Sequence, residues 1–265
     1  MKRILFCLSV FLLFVSIPFT AASSDSSQIK VTILYDNYVY AEGTQADWGF
    51  ACLIQGAEKT ILFDTGTKDN ILFHNIRLLN MDSSEVEVVV ISHEHGDHTG
   101  GLKAFLNENN GVVVYFPKSF SKQFYQFIEK AGAASTPVDE PVRLCDGVYS
   151  TGEMKGGRIA EQSLILDTHD GLVIITGCSH QGIVNILKKA KSMFDKPIDT
   201  VFGGFHLLEH SDEAVAEIIA QFKELGVSKC GATHCTGERQ IGLFREAYGA
   251  NFVEMGVGRV LTFKK

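Results

Sequence analysis

The chain has 265 residues, 45% hydrophobic and 21% charged, with 24 basic against 31 acidic side chains. The apolar share is that of a globular protein, which excludes a disordered chain, and a net charge of −7 offers no basic face for nucleic acid. Six cysteines are too few for a disulfide scaffold, so the nine histidines and 25 glycines become the distinctive features.

The chain opens with Lys2 and Arg3, followed by an uncharged, almost wholly apolar run over 4–17, then Pro18 and the small residues Thr20 to Ser23. Basic, apolar, then small is the layout of a secretory signal peptide. Residues 1–22 are read as that peptide and 23–265 as one mature domain. The apolar run is shorter than the roughly 20 residues a spanning helix needs, so no stable membrane insertion is expected after cleavage. The protein is expected to be exported, to the periplasm or beyond. Removing 22 of 265 residues leaves 243 and, with Lys2 and Arg3 gone, a net charge of −9. It also leaves Cys52, Cys145, Cys178, Cys230 and Cys235, an odd number without a C-x-x-C pair. Small buried hydrophobes are their default role, and at least one thiol stays free or pairs between chains.

β-Branched and aromatic runs predict strands at 29–35, 50–55, 60–63, 86–91 and 112–116. Later ones fall at 163–167, 172–176, 199–203, 229–233 and a closing 252–263. Asp170-Gly171 marks a hairpin turn. Helices are predicted near 68–80, 101–108, 119–131, 182–193, 212–225 and 238–247. The clearest is 212–225: Ser211 caps it, Gly226 stops it, and Ala214, Val215, Ile218, Ile219, Phe222 and Leu225 form one apolar stripe. Phe120, Phe124, Tyr125 and Phe127 read as helix core, and Lys118, Lys122 and Lys155 as surface lysines. The mix of hairpins and β-helix-β units predicts an α/β fold of packed sheets with helices outside. The polar, aromatic, glycine-bearing segment 117–160 is expected to supply part of a pocket.

The chemistry centres on Ser92-His93-Glu94-His95-Gly96-Asp97-His98, directly after the apolar run at 86–91. In an extended backbone, His93 and His95 point the same way, whereas on a helix they would diverge by about 200°. Gly96 lets the chain fold back, so that Asp97 and His98 reach a second point nearby. Neutral imidazoles with a carboxylate suit one or two divalent metals, zinc first, with iron or manganese as alternatives. Glu94 points away from its neighbours. Three more histidines follow strands among small residues: His180, His206 and His234. His180 and His234 are read as metal ligands, while His206 stands between ligand and proton donor. His74, His169 and His210 have no such setting. Cys178 and Cys235 adjoin the ligand loops and are expected buried beside the site, with direct ligation of the metal as the less favoured alternative. Asp64, after the strand at 60–63, is expected to support the ligand loops from behind.

These residues resemble the metallo-β-lactamase-fold superfamily. His93-x-His95-x-Asp97-His98 matches its metal motif, and His234 its last metal histidine. The resemblance runs over 29–265. A closer match than the superfamily at large is a subgroup named after an archaeal dihydropterin–ribofuranosylaminobenzene-phosphate synthase, through Leu34 to Asn37 (LYDN), Leu62 to Gly66 (LFDTG), and the GCSH, GGFH and THCTG segments. It implies a four-layer αββα sandwich of two mixed sheets, with metals at one sheet edge. Two departures stand out. The histidine of the family's H-T-x-G-S segment is missing from Ala160-Glu161-Gln162-Ser163-Leu164, and its bridging aspartate from Gly177-Cys178-Ser179-His180. His180 is positioned to replace one of those ligands.

The leading expectation is an exported metallo-hydrolase that acts on a small ester, phosphoester, lactone or thioester. Asp97 would orient the nucleophile and His206 polarise the substrate or donate a proton. A pterin–arylamine transferase and a non-catalytic metal-binding or sensing protein are the alternatives.

Overall fold

The computed structural model describes residues 27–157 and 159–265. The signal-peptide reading of 1–22 lies outside the described residues. Strands β1 (Gln28–Tyr35), β2 (Ala51–Gln55), β3 (Ile61–Phe63), β4 (Val88–Val90), β5 (Val113–Pro117) and β6 (Ala134–Val138) build most of a first sheet. Strands β7 (Val142–Cys145), β8 (Val148–Ser150), β9 (Leu164–Thr168), β10 (Gly171–Thr176), β11 (Ile198–Gly204) and β12 (Lys229–Thr233) build a second. The last strand, β13 (Val260–Lys264), returns to pair antiparallel with β1. The first sheet runs β13-β1-β2-β3-β4-β5-β6 and the second β12-β11-β10-β9-β8-β7. Both are mixed: β3 to β6 and β10 to β12 are parallel, the other pairs antiparallel.

Side-chain alternation sets the layers. Along β4, Val88 and Val90 turn toward the second sheet and join Leu166, Val173, Ile175 and Phe202 in a core between the sheets. Val89, with Ile91 beyond it, turns outward and packs with Leu72, Phe105 and Ile128. Those residues lie on helices α1 (Asp69–Leu78), α3 (Leu102–Glu108) and α4 (Lys122–Ala131), with the short α2 (Gly96–Thr99) between α1 and α3. On the second sheet, Leu172 and Ile174 turn outward to α5 (Ile183–Met193), α6 (Asp212–Glu224) and α7 (Glu238–Tyr248). Helix, sheet, sheet, helix is the expected sandwich, and strands so apolar are explained by cover on both faces. Among the described residues, no helix is long and apolar enough to cross a membrane.

Three details differ from the sequence reading. Strands β6, β7 and β8 were not anticipated. They are short and partly polar, and β6 and β7 are sheet edges, where Pro137 costs no ladder bond. The predicted strand 252–263 is regular only from Val260. Before it, Phe252 and Val257 make single bridges, and Gly256 and Gly258 take positive φ. On α6 the stripe is narrower than predicted: Val215 and Phe222 are fully buried, while Ile218, Ile219 and Leu225 pack at the margin. The caps are as read, with Ser211 Oγ accepting from Ala214 N–H and Gly226 in the left-handed region. Asp170-Gly171 does close the hairpin between β9 and β10.

Candidate metal centre

The donor-bearing loops all follow the C-terminal ends of strands, where a rigid sheet can hold side chains precisely spaced. Asp64 follows β3 in a left-handed conformation (φ 56°) rare for a residue with a Cβ. Its fully buried carboxylate gathers the neighbouring loop. Oδ1 accepts from Ser92 N–H at 2.7 Å, Oδ2 accepts from Ser92 Oγ at 2.6 Å, and Oδ2 lies 2.7 Å from His98 Nδ1. Thr65 N–H and Oγ1 both donate to His98 carbonyl oxygen at 2.8 Å. With Nδ1 engaged, the free edge of His98 is Nε2, 3.2 Å from Cys178 Sγ and 3.5 Å from Asp97 Oδ2.

His234, just beyond β12, is oriented the same way. Its Nδ1 lies 2.9 Å from Asn37 Oδ1, and its Nε2 stands 3.3 Å from both Cys178 Sγ and Asp97 Oδ2. Donor atoms of Asp97, His98, Cys178 and His234 thus lie within 4.8 Å of one another.

A second cluster adjoins the first. The ring centroids of His93, His95 and His180 stand 4.6 to 4.9 Å apart. His93 and His95 lie in the extended part of the motif, and the chain becomes helical only at Gly96, so the two imidazoles converge. Cys178 Sγ lies within 4.8 Å of donors from His93 and His180 as well. It occupies the ground between the two clusters, in the segment where the family's bridging aspartate is missing from this chain. Of the two places open to Cys178, beside the site or among its donors, the fold puts its sulfur among the donors. Gly177 makes this possible: a Cβ there would meet Ser92 Oγ at 2.2 Å.

The chemistry of these donors fits a cation. His93 Nε2 is buried without a hydrogen-bond partner, while its Nδ1 is held 2.8 Å from Ser92 Oγ. An orphaned buried nitrogen costs about 1–3 kcal/mol, which a metal ion at that lone pair would remove. Burial, with help from three nearby imidazoles, holds His93 well below the ordinary histidine range and so keeps that lone pair free. His98 behaves oppositely: burial lowers it, but Asp64 and Asp97 outweigh this and push it up to about 10. Burial works against the Asp97 carboxylate too, yet His234 and His98 hold its pKa far below the usual range. Burial raises the Cys178 thiol, so a cation is what would make it a thiolate.

Four supporting residues had no assigned role in the sequence reading. Glu161, fully buried, accepts from Ser179 N–H at 2.6 Å and His180 N–H at 2.5 Å, fixing the His180 loop. It stands 3.2 Å from His180 Nδ1. Ser92 joins Asp64 to His93. Asn37, inside the LYDN string, holds His234, and Trp48 Nε1 donates to Asp97 Oδ2 at 2.9 Å with its ring 5.0 Å from that of His234. The family string around Asn37 was the available signal for it, whereas a lone loop tryptophan gave none.

His206 sits at the exposed rim in a left-handed conformation. Its ring is 4.3 Å from that of His180, and its donors group with Cys178 and Cys235 rather than with the two clusters. His210 shares a cleft of about 240 Å³ with His206, Trp48 and Leu208, while His74 bonds to Gly43 and His169 to Asp170, away from the centre. On the other side, a cleft of about 370 Å³ runs past His95, Phe120, Glu153 and Lys155, so 117–160 does contribute a pocket wall. Glu94 faces that cleft, tied to Ser121. Lys118 and Lys155 are both paired with Asp139, and Phe120 and Phe124 are core residues. The five described cysteines are buried and free.

Two mixed sheets between helical layers, with histidine, carboxylate and thiol donors converging beyond the C-terminal ends of their strands, define a metalloenzyme-type αββα sandwich. Residues 49–179 match the metallo-beta-lactamase superfamily. The chain is 30% identical to the Methanocaldococcus jannaschii 7,8-dihydropterin-6-methyl-4-(beta-D-ribofuranosyl)-aminobenzene-5'-phosphate synthase, over 89% of this chain and 97% of that one. It is 29% identical to the solved Tm1679, described as a metal-dependent hydrolase of the beta-lactamase superfamily, covering 89% of this chain and all of that one with a TM-score of 0.76. Bacillus subtilis YhfI, at 16% identity, shares the fold with a TM-score of 0.64 over 88% of this chain and 99% of that one. The chain belongs to the metallo-beta-lactamase superfamily.

Proposed function

We propose that this protein is an exported metal-dependent hydrolase of a small ester, phosphoester, lactone or thioester. The observation that carries the reading is the convergence of His93, His95 and His180 beside Asp97, His98 and His234, with Cys178 between them and a buried, unpartnered nitrogen on His93. His93, His95 and His180 would hold one divalent ion and Asp97, His98 and His234 a second, with Cys178 available to both. Zinc suits this set of nitrogen, oxygen and sulfur donors. When bound, such ions supply Lewis acidity and bring the pKa of water toward 7.

The chain's own groups do the rest. Asp97, steadied by the Trp48 N–H, would orient the nucleophilic water. Glu161 and Asn37 keep His180 and His234 in their ligating orientations. His206, raised above the ordinary histidine value by its contact with Cys235, donates a proton to the leaving group from the rim. The clefts on either side of the centre receive the two halves of the substrate.

The relation to the archaeal synthase supports a second reading, transfer of a pterin unit to an arylamine. The test is metal analysis of the purified protein, then turnover of an ester, lactone, thioester and phosphodiester panel beside a pterin diphosphate with an arylamine. Hydrolysis lost in His95→Ala supports the first reading. Absence of bound transition metal overturns it, and turnover confined to the pterin pair replaces it with the second.

A further inference from the structure

Cys178 and Cys235 come from loops after β10 and β12, yet their sulfurs lie within 4.8 Å of each other, and Cys235 Sγ is 3.5 Å from the Cys178 carbonyl oxygen. The strand between them, β11, ends in Gly204, where a Cβ would meet Cys235 Sγ at 2.7 Å and His234 Cδ2 at 3.1 Å. The missing side chain is what lets the two sulfurs approach across it. Cys178 Sγ also stands 3.2 and 3.3 Å from the ring nitrogens of His98 and His234. Cys235 lines the cleft that holds His206 and Trp48, so one sulfur of the pair faces a solvent path and the other faces the metal donors. The remaining described cysteines are packed elsewhere: Cys52 and Cys145 between the sheets, Cys230 beneath the outer helices.

We propose that Cys178 and Cys235 are an oxidisable pair, joined as a disulfide when the metal centre is empty and kept apart when it is filled. The proposal rests on the reading of Cys178 as a metal donor. The oxidant is a small-molecule or protein disulfide. The Cys235 thiol attacks one of its sulfurs, expelling one thiol; Cys178 then displaces the second. Two S–H bonds are lost from the protein, the Cys178–Cys235 bond forms, and the oxidant is reduced to two thiols. The new bond takes Cys178 Sγ away from His98 and His234 and removes a donor from both clusters. In an oxidising compartment, metal loading before oxidation would therefore decide whether a chain becomes active.

The test uses the exported protein, metal-stripped or zinc-loaded, with oxidised glutathione as the probe. Thiols are then alkylated under denaturing conditions and read by intact mass and peptide mapping. The stripped protein is expected to lose two alkylatable thiols and about 2 Da, with a linked Cys178–Cys235 peptide. It should then fail to take up zinc until reduced by dithiothreitol. With zinc the linkage forms at least about tenfold more slowly. Cys235→Ser should form no internal linkage and still take up zinc after oxidant treatment, which separates the switch from damage to folding. If all thiols survive, or only mixed disulfides with glutathione form while zinc still binds, the pairing is overturned and the metal reading stands. If the pair forms equally fast with zinc present, the protection is overturned, and with it the place of Cys178 among the metal donors.

Discussion

Asp36 directly follows the first strand of the fold, fully buried, with its two oxygens 2.7 and 2.8 Å from the Thr233 hydroxyl. A hydroxyl has one proton to donate, so both short contacts are satisfied together only when the carboxyl carries a proton of its own. Burial pushes the Asp36 pKa from 3.8 up to about 7, against the opposing hydrogen bonds from Thr233 and the Tyr38 N–H. That gap corresponds to about 4 kcal/mol. The unfolded chain loses this proton near pH 4, while the native state keeps it to about 7. Between those values the native state binds more protons, so stability falls as pH rises, by about 1.4 kcal/mol per pH unit, and levels off above. An amide in place of the carboxyl imitates the neutral acid, since its N–H₂ donates to Thr233 Oγ1 and its oxygen accepts. Asp36→Asn is therefore expected to abolish this slope, and to be more stable than the wild type by about 2–4 kcal/mol at about pH 8. The advantage should shrink steadily toward about pH 5. Urea unfolding of metal-free protein across that range, followed by circular dichroism, measures it; metal-free samples keep a nearby cation from biasing the carboxyl. A difference that does not change with pH, or a variant less stable at high pH, would refute the reasoning.

Asp64→Asn removes the charge that pairs with His98 and sets an N–H₂ group against donors from Ser92 and His98. It should cost about 3–5 kcal/mol in urea unfolding and about 10–100-fold in zinc affinity by chelator competition. Gly204→Ala places a methyl 2.4 Å from the Gly177 carbonyl oxygen and 2.7 Å from Cys235 Sγ. An unfolding penalty of about 1–3 kcal/mol is expected, with weakened zinc uptake. Trp48 is the chain's single tryptophan, 46% exposed and 5.0 Å from His234. Addition of cobalt(II) should quench tryptophan fluorescence saturably in the wild type and not in His234→Ala; equal quenching in both would remove Trp48 from the centre.

How much was legible follows from how far each cause reaches along the chain. The run at 86–91 announced a strand buried on both faces because alternate valines serve two cores, a property of neighbouring residues alone. The histidines were legible for the same reason: the motif is local, and its extended-then-turned backbone is dictated by its own spacing and Gly96. The edge strands β6 and β7, with the short β8 beside β7, were not, since such strands need little apolar character and take their register from a partner elsewhere. Glu161 was noticed for the histidine its segment lacks. Its actual task is to receive N–H groups from residues 18 and 19 positions away. Trp48, Asn37 and Cys178 depend on longer closures still, 49 residues from Trp48 to Asp97, 197 from Asn37 to His234 and 80 from His98 to Cys178.

Those distances have a physical consequence. His93, His95, Asp97 and His98 hang from the first sheet, while Cys178, His180 and His234 hang from the second. Any ion held by both sets ties the two layers together across the end of their shared core. Its binding energy then counts toward the unfolding of the whole sandwich, as mass action requires for a ligand that binds only the native state. A centre built across both sheets adds its binding energy to the hold between sheets that already dock without it.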